Sequence, residues 1–204
     1  MMVTFLSAAL GEKSLDELLN SFLLSFFLLH ERLIKLLAHD ALFLLRNCLV
    51  IPKLLHTFGT SPSFRRPDLL CEIDAAILHS TSTILNVKLE DSQRAQVYLP
   101  TKLGGFGIAS ANNISASAFL SSIHAADSIC RNMSTDWCLE DSPFYQSALA
   151  QWKAQCPSVT KPSSGLDQQK SWTFPLEVYR ADSLISSERL KSCSSTCLHS
   201  SWVW

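Results

Sequence analysis

The sequence predicts an all-α fold, an irregular helical bundle with long N-terminal helices and a loosely attached C-terminal tail. Three observations carry this. Apolar residues recur at steps of three and four from Leu15 to Leu55, and again from Leu70 to Ile84. Proline and glycine stand where helices would start or stop, at Gly59, Pro67, Pro100 and Pro143. Strand-type alternation is nearly absent.

Ser14-Leu15-Asp16-Glu17 reads as a capping box, because Ser14 and Glu17 can satisfy each other's orphan amide donors. Leu15, Leu19, Phe22, Phe26, Leu29 and Leu33 then share one helical face, continued by Leu37, Ala41, Leu44, Cys48, Ile51 and Leu55. Either one long helix or two nearly collinear ones cover residues 14–58, with a break expected near His39-Asp40. Pro52 should kink the second half by removing the donor to the Cys48 carbonyl. Gly59 suits the position just past a helix end, and Pro62 prevents resumption.

Arg66-Pro67-Asp68 opens the next helix, with Pro67 in its first turn, Asp68 at the positive end of its dipole, and Leu70, Ile73, Ile77, Thr81 and Ile84 as its stripe. Asp91 or Ser92 should cap a short helix ending before Pro100. Gly104-Gly105-Phe106-Gly107 must turn. Its glycines are read as supplying positive φ angles between helices. Helices follow at residues 113–130 and from Pro143 onward. Residues 157–171, rich in Ser, Pro, Lys and Gln, read as a linker before short helices at 176–184 and 186–194. Three regions result: a helical bundle over 1–99, a connector with the glycine turn over 100–157, and a linker with a short helical tail over 158–204.

Seventeen basic against eighteen acidic side chains leave a net charge of −1, so any phosphate contact must come from a local patch. Seven scattered cysteines fit reduced thiols in an intracellular protein, nuclear or cytoplasmic, better than a secreted disulfide scaffold. Residues 1–11 are apolar but lack the positive start of a signal peptide. Leu18 to Leu29 is too short and too interrupted by Asn20, Ser21 and Ser25 to span a bilayer, so no membrane partner is expected.

His39-Asp40-Ala41-Leu42-Phe43-Leu44-Leu45-Arg46-Asn47-Cys48, then Ile51-Pro52-Lys53-Leu54 and Thr60-Ser61-Pro62, resemble the post-palm region of non-LTR (LINE-type) retrotransposon reverse transcriptases. Asn86-Val87, Leu99-Pro100 and Gly104-Gly105-Phe106-Gly107-Ile108 are similar to a later landmark of that family, and the small-residue run Ala116-Ser117-Ala118-Phe119-Leu120-Ser121-Ser122 follows in its order. So do Trp152, Gln169, Trp172, Pro175-Leu176 and His199-Ser200-Ser201-Trp202. The resemblance implies a thumb over 1–99 and a connector beyond it, holding an RNA–DNA duplex or docking on the polymerase palm. RNA-directed DNA polymerase chemistry needs clustered aspartates to hold two metal ions, and this chain has no Asp-Asp pair. The expectation is a non-catalytic piece with no catalytic residue, metal, cofactor or small-molecule substrate. The alternative is a helical protein-interaction module.

On a continuous helix, Arg32, Lys35, His39, Arg46 and Lys53 fall on one side at about 100° per residue, opposite the apolar face. Such a row could follow a nucleic-acid backbone, with Arg65 and Arg66 extending it, or it could be only the solvated face every amphipathic helix has. Cys193-x3-Cys197-x-His199 lacks the partner pair of a tetrahedral zinc site. His30-Glu31 has Ile34 where a zincin needs its second histidine. No Gly-x-Ser-x-Gly elbow and no phosphate loop are present. Trp137, Trp152, Trp172, Trp202 and Trp204 could stack on bases, but core anchoring is the favoured reading.

Overall fold

The structure, a computed structural model, describes residues 12–199 apart from Thr135 and Ser164, with side chains from residue 14 to 187. Its α-helices are α1 (Glu12–Leu33), α2 (Ala38–Leu44), α3 (Ile51–Thr60), α4 (Pro67–Leu85), α5 (Asp91–Val97), α6 (Ala111–Met133), α7 (Pro143–Gln155) and α8 (Gln169–His199). A π-helical turn, Leu45–Leu49, follows α2, and 3₁₀ turns occupy Ser63–Arg65, Thr101–Leu103 and Leu139–Asp141. No strand occurs among the described residues, and the chain is all-α.

The predicted stripe of α1 is buried at Leu15, Leu19, Phe26 and Leu33, but the helix already runs at Glu12, so Ser14 lies inside it and does not cap it. The long helix is not continuous. Its first break falls at residues 34–37, earlier than His39-Asp40. The second is the π turn with Val50 at φ −107° and ψ −92°, after which Pro52 sits in the first turn of α3. The expected kink at Pro52 is not what forms: the chain takes a wider turn and restarts, and Pro52 sits in a first turn where its missing N–H costs no helical hydrogen bond. One extra residue therefore enters the register: Ala41, Leu45, Val50, Leu54 and Phe58 are buried, while Leu37 and Cys48 are exposed.

Gly59 does not terminate α3, which continues to Thr60. It faces α6, where a Cβ on Gly59 would stand 2.5 Å from Ser122 Oγ. Its small size, together with Ala118 and Ser122 opposite it, lets α3 and α6 approach closely. Pro67 and Pro143 occupy first turns as expected. The short helix α5 is entered through Glu90, whose N–H donates to Gln93 Oε1 at 3.0 Å, so Asp91 and Ser92 lie inside it.

Two cores share α6. Ala111 and Ala118 face the first, with Leu19, Leu45, Leu54, Phe58, Leu70 and Ile77. Ala116, Phe119, Leu120 and Ile123 face the second, with Phe64, Tyr145, Trp152, Trp172 and Leu176. Boundaries at 99 and 157 therefore do not divide the cores. The two expected tail helices are one helix, α8, with Pro175 inside it. Nor is its first part loosely attached. Trp172 and Leu176 are fully buried, Trp172 Nε1–H donates to the Leu166 carbonyl at 2.8 Å, and Ser121 Oγ–H donates to the Asp167 carbonyl at 2.9 Å. The signal-peptide question at residues 1–11, the Cys193, Cys197 and His199 side chains, and Trp202 and Trp204 all lie outside the described residues.

Ala38–Thr60 taken as one segment is long and apolar enough to cross a membrane by length and composition. In the fold its Leu45, Val50, Leu54 and Phe58 face the first core.

Candidate nucleic-acid interface

Breaking the helix divides the basic row. Arg32 and Lys35 end α1 and enter the loop, exposed and without an ion pair among the described residues. His39 lies 3.1 Å from Asp40, on the first residues of α2. Arg46 is on the π turn, and its guanidinium carbon would be 3.1 Å from a Cβ on Gly107, so it packs against the glycine turn. Lys53 is exposed in the first turn of α3. Arg65 lies over the Phe144 ring, 5.7 Å from its centroid.

Arg66 has a structural occupation. Its Nη1 pairs with Asp16, and Nη2 and Nε contact the Asp68 carboxylate at 2.8 and 3.2 Å. The guanidinium holds Asp68 below the ordinary carboxylate value, chiefly by hydrogen bonding. Two carboxylates around one cation leave it little net attraction for phosphate. Arg66 clamps the start of α1 to the start of α4.

That clamp also sets direction. Asp16 near the start of α1 meets Arg66 at the start of α4, and His30 near the end of α1 meets His79 near the end of α4 with ring centroids 5.3 Å apart. The two helices run side by side in one sense. Arg32 and Lys35 therefore sit at one end of the pair and Arg65 and Arg66 at the other, separated by roughly the ~28 Å length of α4 at ~1.5 Å per residue.

Arg46 borders a cleft that sequence reasoning missed. The glycine turn closes by Gly107 N–H donating to the Leu99 carbonyl at 2.8 Å and Gly105 N–H to the Pro100 carbonyl at 3.1 Å. Gly104 and Gly107 take positive φ, 81° and 71°. Gly105 is needed for another reason: a Cβ there would run into the Leu99 backbone. Against this turn lie Tyr98 and, from α8, Glu177, which with Arg46 line a hollow of about 150 Å³. Tyr98, Asn113, Arg180 and Leu184 line an adjoining, mainly apolar hollow of about 370 Å³.

Behind it, Asp74 of α4 reaches the start of α6. Its carboxylate accepts from Ser110 Oγ and Ala111 N–H, each at 2.6 Å, and from Asn112 N–H at 3.2 Å. Burial pushes Asp74 above the ordinary carboxylate value, opposed by these donors. Burial likewise raises Glu177 and lowers Arg180, whose Nη2 donates to Gln155 Oε1 at 3.1 Å. The helix starts at Ala111 under a Ser110 cap, two residues before the expected start at 113, and Asp74, distant in the chain, gave no local signal.

Among the described residues no group of three or more His, Cys, Asp or Glu side chains is placed to hold a metal ion. Compared with known families, curated proteins and solved structures, the chain has no match.

Proposed function

We propose that this chain is a non-catalytic helical part of a reverse-transcriptase-type protein and contacts a nucleic-acid backbone through exposed basic side chains. The observation that carries the reading is the exposure of Arg32, Lys35 and Lys53, none of which makes an ion pair among the described residues. Arg66, by contrast, is held by two carboxylates. The family resemblance supports the context, and the interlocking of Leu99, Pro100, Gly105 and Gly107 gives that landmark a physical basis.

The test is fluorescence anisotropy with an RNA–DNA duplex over a salt series. Binding at low ionic strength that weakens linearly in log salt, with little dependence on base sequence, supports the reading. Given Mg²⁺, deoxynucleotides and a primed RNA template, the chain incorporates nothing.

A second reading has its own observation. Leu24, Phe27 and Leu28 stand 70%, 52% and 73% exposed on the outer side of α1, an apolar surface of the kind that docks on another protein. Absence of duplex binding at the lowest salt would leave this interaction-module reading ahead.

A further inference from the structure

A hollow of about 330 Å³ lies between the end of α4 and the start of α5. Its polar wall is His79, Ser82, Lys88 and Arg94, and no carboxylate lines it. Lys88 makes no hydrogen bond or ion pair among the described residues. Arg94 Nε–H donates to the Leu89 carbonyl at 3.1 Å, which fixes the guanidinium. Its Nη1 is 3.6 Å from the fully exposed Asp91, a contact too loose to neutralise it. Ser82 spends its hydroxyl proton on the Val87 carbonyl, leaving Lys88, Arg94 and His79 as the donors.

The negative end of α4 is muted here. Asn86 takes the left-handed conformation at φ 51°, and Asn86 and Val87 N–H groups cover the Thr83 and Ser82 carbonyls at 3.2 and 3.1 Å. The His30–His79 contact brings the end of α1 beside this hollow, so Arg32 and Lys35 share its end of the bundle. Arg32 at the end of α1, Lys35 in the loop after it, Lys88 in the α4–α5 loop and Arg94 on α5 thus lie toward one end of the bundle, with the exposed Glu90 and Asp91 outside the hollow's wall.

We propose that this hollow is a phosphate-binding site, seating a backbone phosphate of a nucleic-acid strand whose neighbouring phosphates meet Arg32 and Lys35. The site does not depend on the reading proposed above, but the strand as the source of the phosphate does. Lys supplies a point charge and Arg94 a forked donor edge, the pairing that phosphate oxygens accept.

The test uses the full chain and its Lys88→Gln/Arg94→Gln variant, with Lys88→Gln alone guarding against a folding effect of losing Arg94. Amide NMR shifts are followed during titration with inorganic phosphate against matched chloride, and duplex binding is measured over a salt series. Expected are phosphate-dependent shifts at residues 79, 88 and 94, lost in the variant, and a salt slope shallower by about one per charge removed. Phosphate shifts without duplex binding would keep the site, assign it to free phosphate groups, and sink the nucleic-acid reading. Duplex binding with an unchanged slope in both variants, and no phosphate shifts in the parent, would overturn the site while that reading stands.

Discussion

The indole N–H of Trp152 donates to the Trp172 carbonyl at 2.9 Å, and the two rings meet edge to face with centroids 5.3 Å apart. This joins α7 to α8 in the middle of the second core and ties down the chain beyond the Pro157 linker. Trp172→Ala should cost about 3–5 kcal/mol, the range for emptying a buried aromatic site. Urea denaturation measures the loss, and protease should cut residues 157–187 earlier in the variant. Unchanged stability would mean that α8 does not depend on this anchor.

Gly105→Ala and Gly104→Ala should rank against the usual expectation. Gly104 has the positive φ, yet nothing lies within 4 Å of a Cβ there, so alanine meets only the left-handed penalty of about 1–2 kcal/mol. At Gly105 the added carbon meets the Leu99 backbone and must open the Gly107–Leu99 hydrogen bond. The Gly105 variant is the less stable of the two; urea midpoints showing the reverse order would contradict the turn geometry.

These glycines show what was legible in the sequence. Their turn was readable because three glycines in four residues have few other uses, but which was needed for conformation and which for close approach was not. Pro67 and Pro143 marked helix starts because their local chemistry is self-contained. Gly59 misled because a packing glycine and a terminating glycine look alike until Ser122, far along the chain, is placed against it. The basic row misled more deeply. Its alignment assumed unbroken helix, and one extra residue in the π turn moves every later side chain by about 100°. The Asp74 and Arg180 surroundings required tertiary structure.

Asp74→Ala should destabilise the chain by about 2 kcal/mol, the upper range for losing a helix cap, since Ala111 and Asn112 N–H groups lose their shared acceptor. Asp74→Asn, which keeps one acceptor oxygen, should cost less. Equal losses in chemical denaturation would show that one acceptor oxygen is not enough and that both are needed there.

His124 stacks on Trp172 and meets Tyr145 edge-on, both at 5.5 Å, with Nε2 buried and unpartnered. Burial and then Lys161 hold its pKa below the ordinary 6.5, against Asp127 and Glu140. A depressed histidine contributes stability that is present above the unfolded value and lost as pH falls from about 6.5 through the folded value. The second core should therefore weaken in that window, and His124→Phe should flatten the dependence. Thermal unfolding over pH 7 to 5 measures it; identical profiles for both proteins would assign the weakening to other groups.

Backbone contact through exposed cations is tested by duplex binding of variants with paired charge removals. Arg32→Gln with Lys35→Gln removes the unpaired charges at the end of α1, while Arg66→Gln removes a charge already held by Asp16 and Asp68. In anisotropy titrations over a salt series, the first variant should bind the RNA–DNA duplex more weakly at low salt, with a slope shallower by about two. The second, compared at matched folded fraction, should keep the parent slope. A parent chain with no salt-sensitive binding, or a slope that moves with Arg66 and not with Arg32 and Lys35, would rule out backbone contact through these cations.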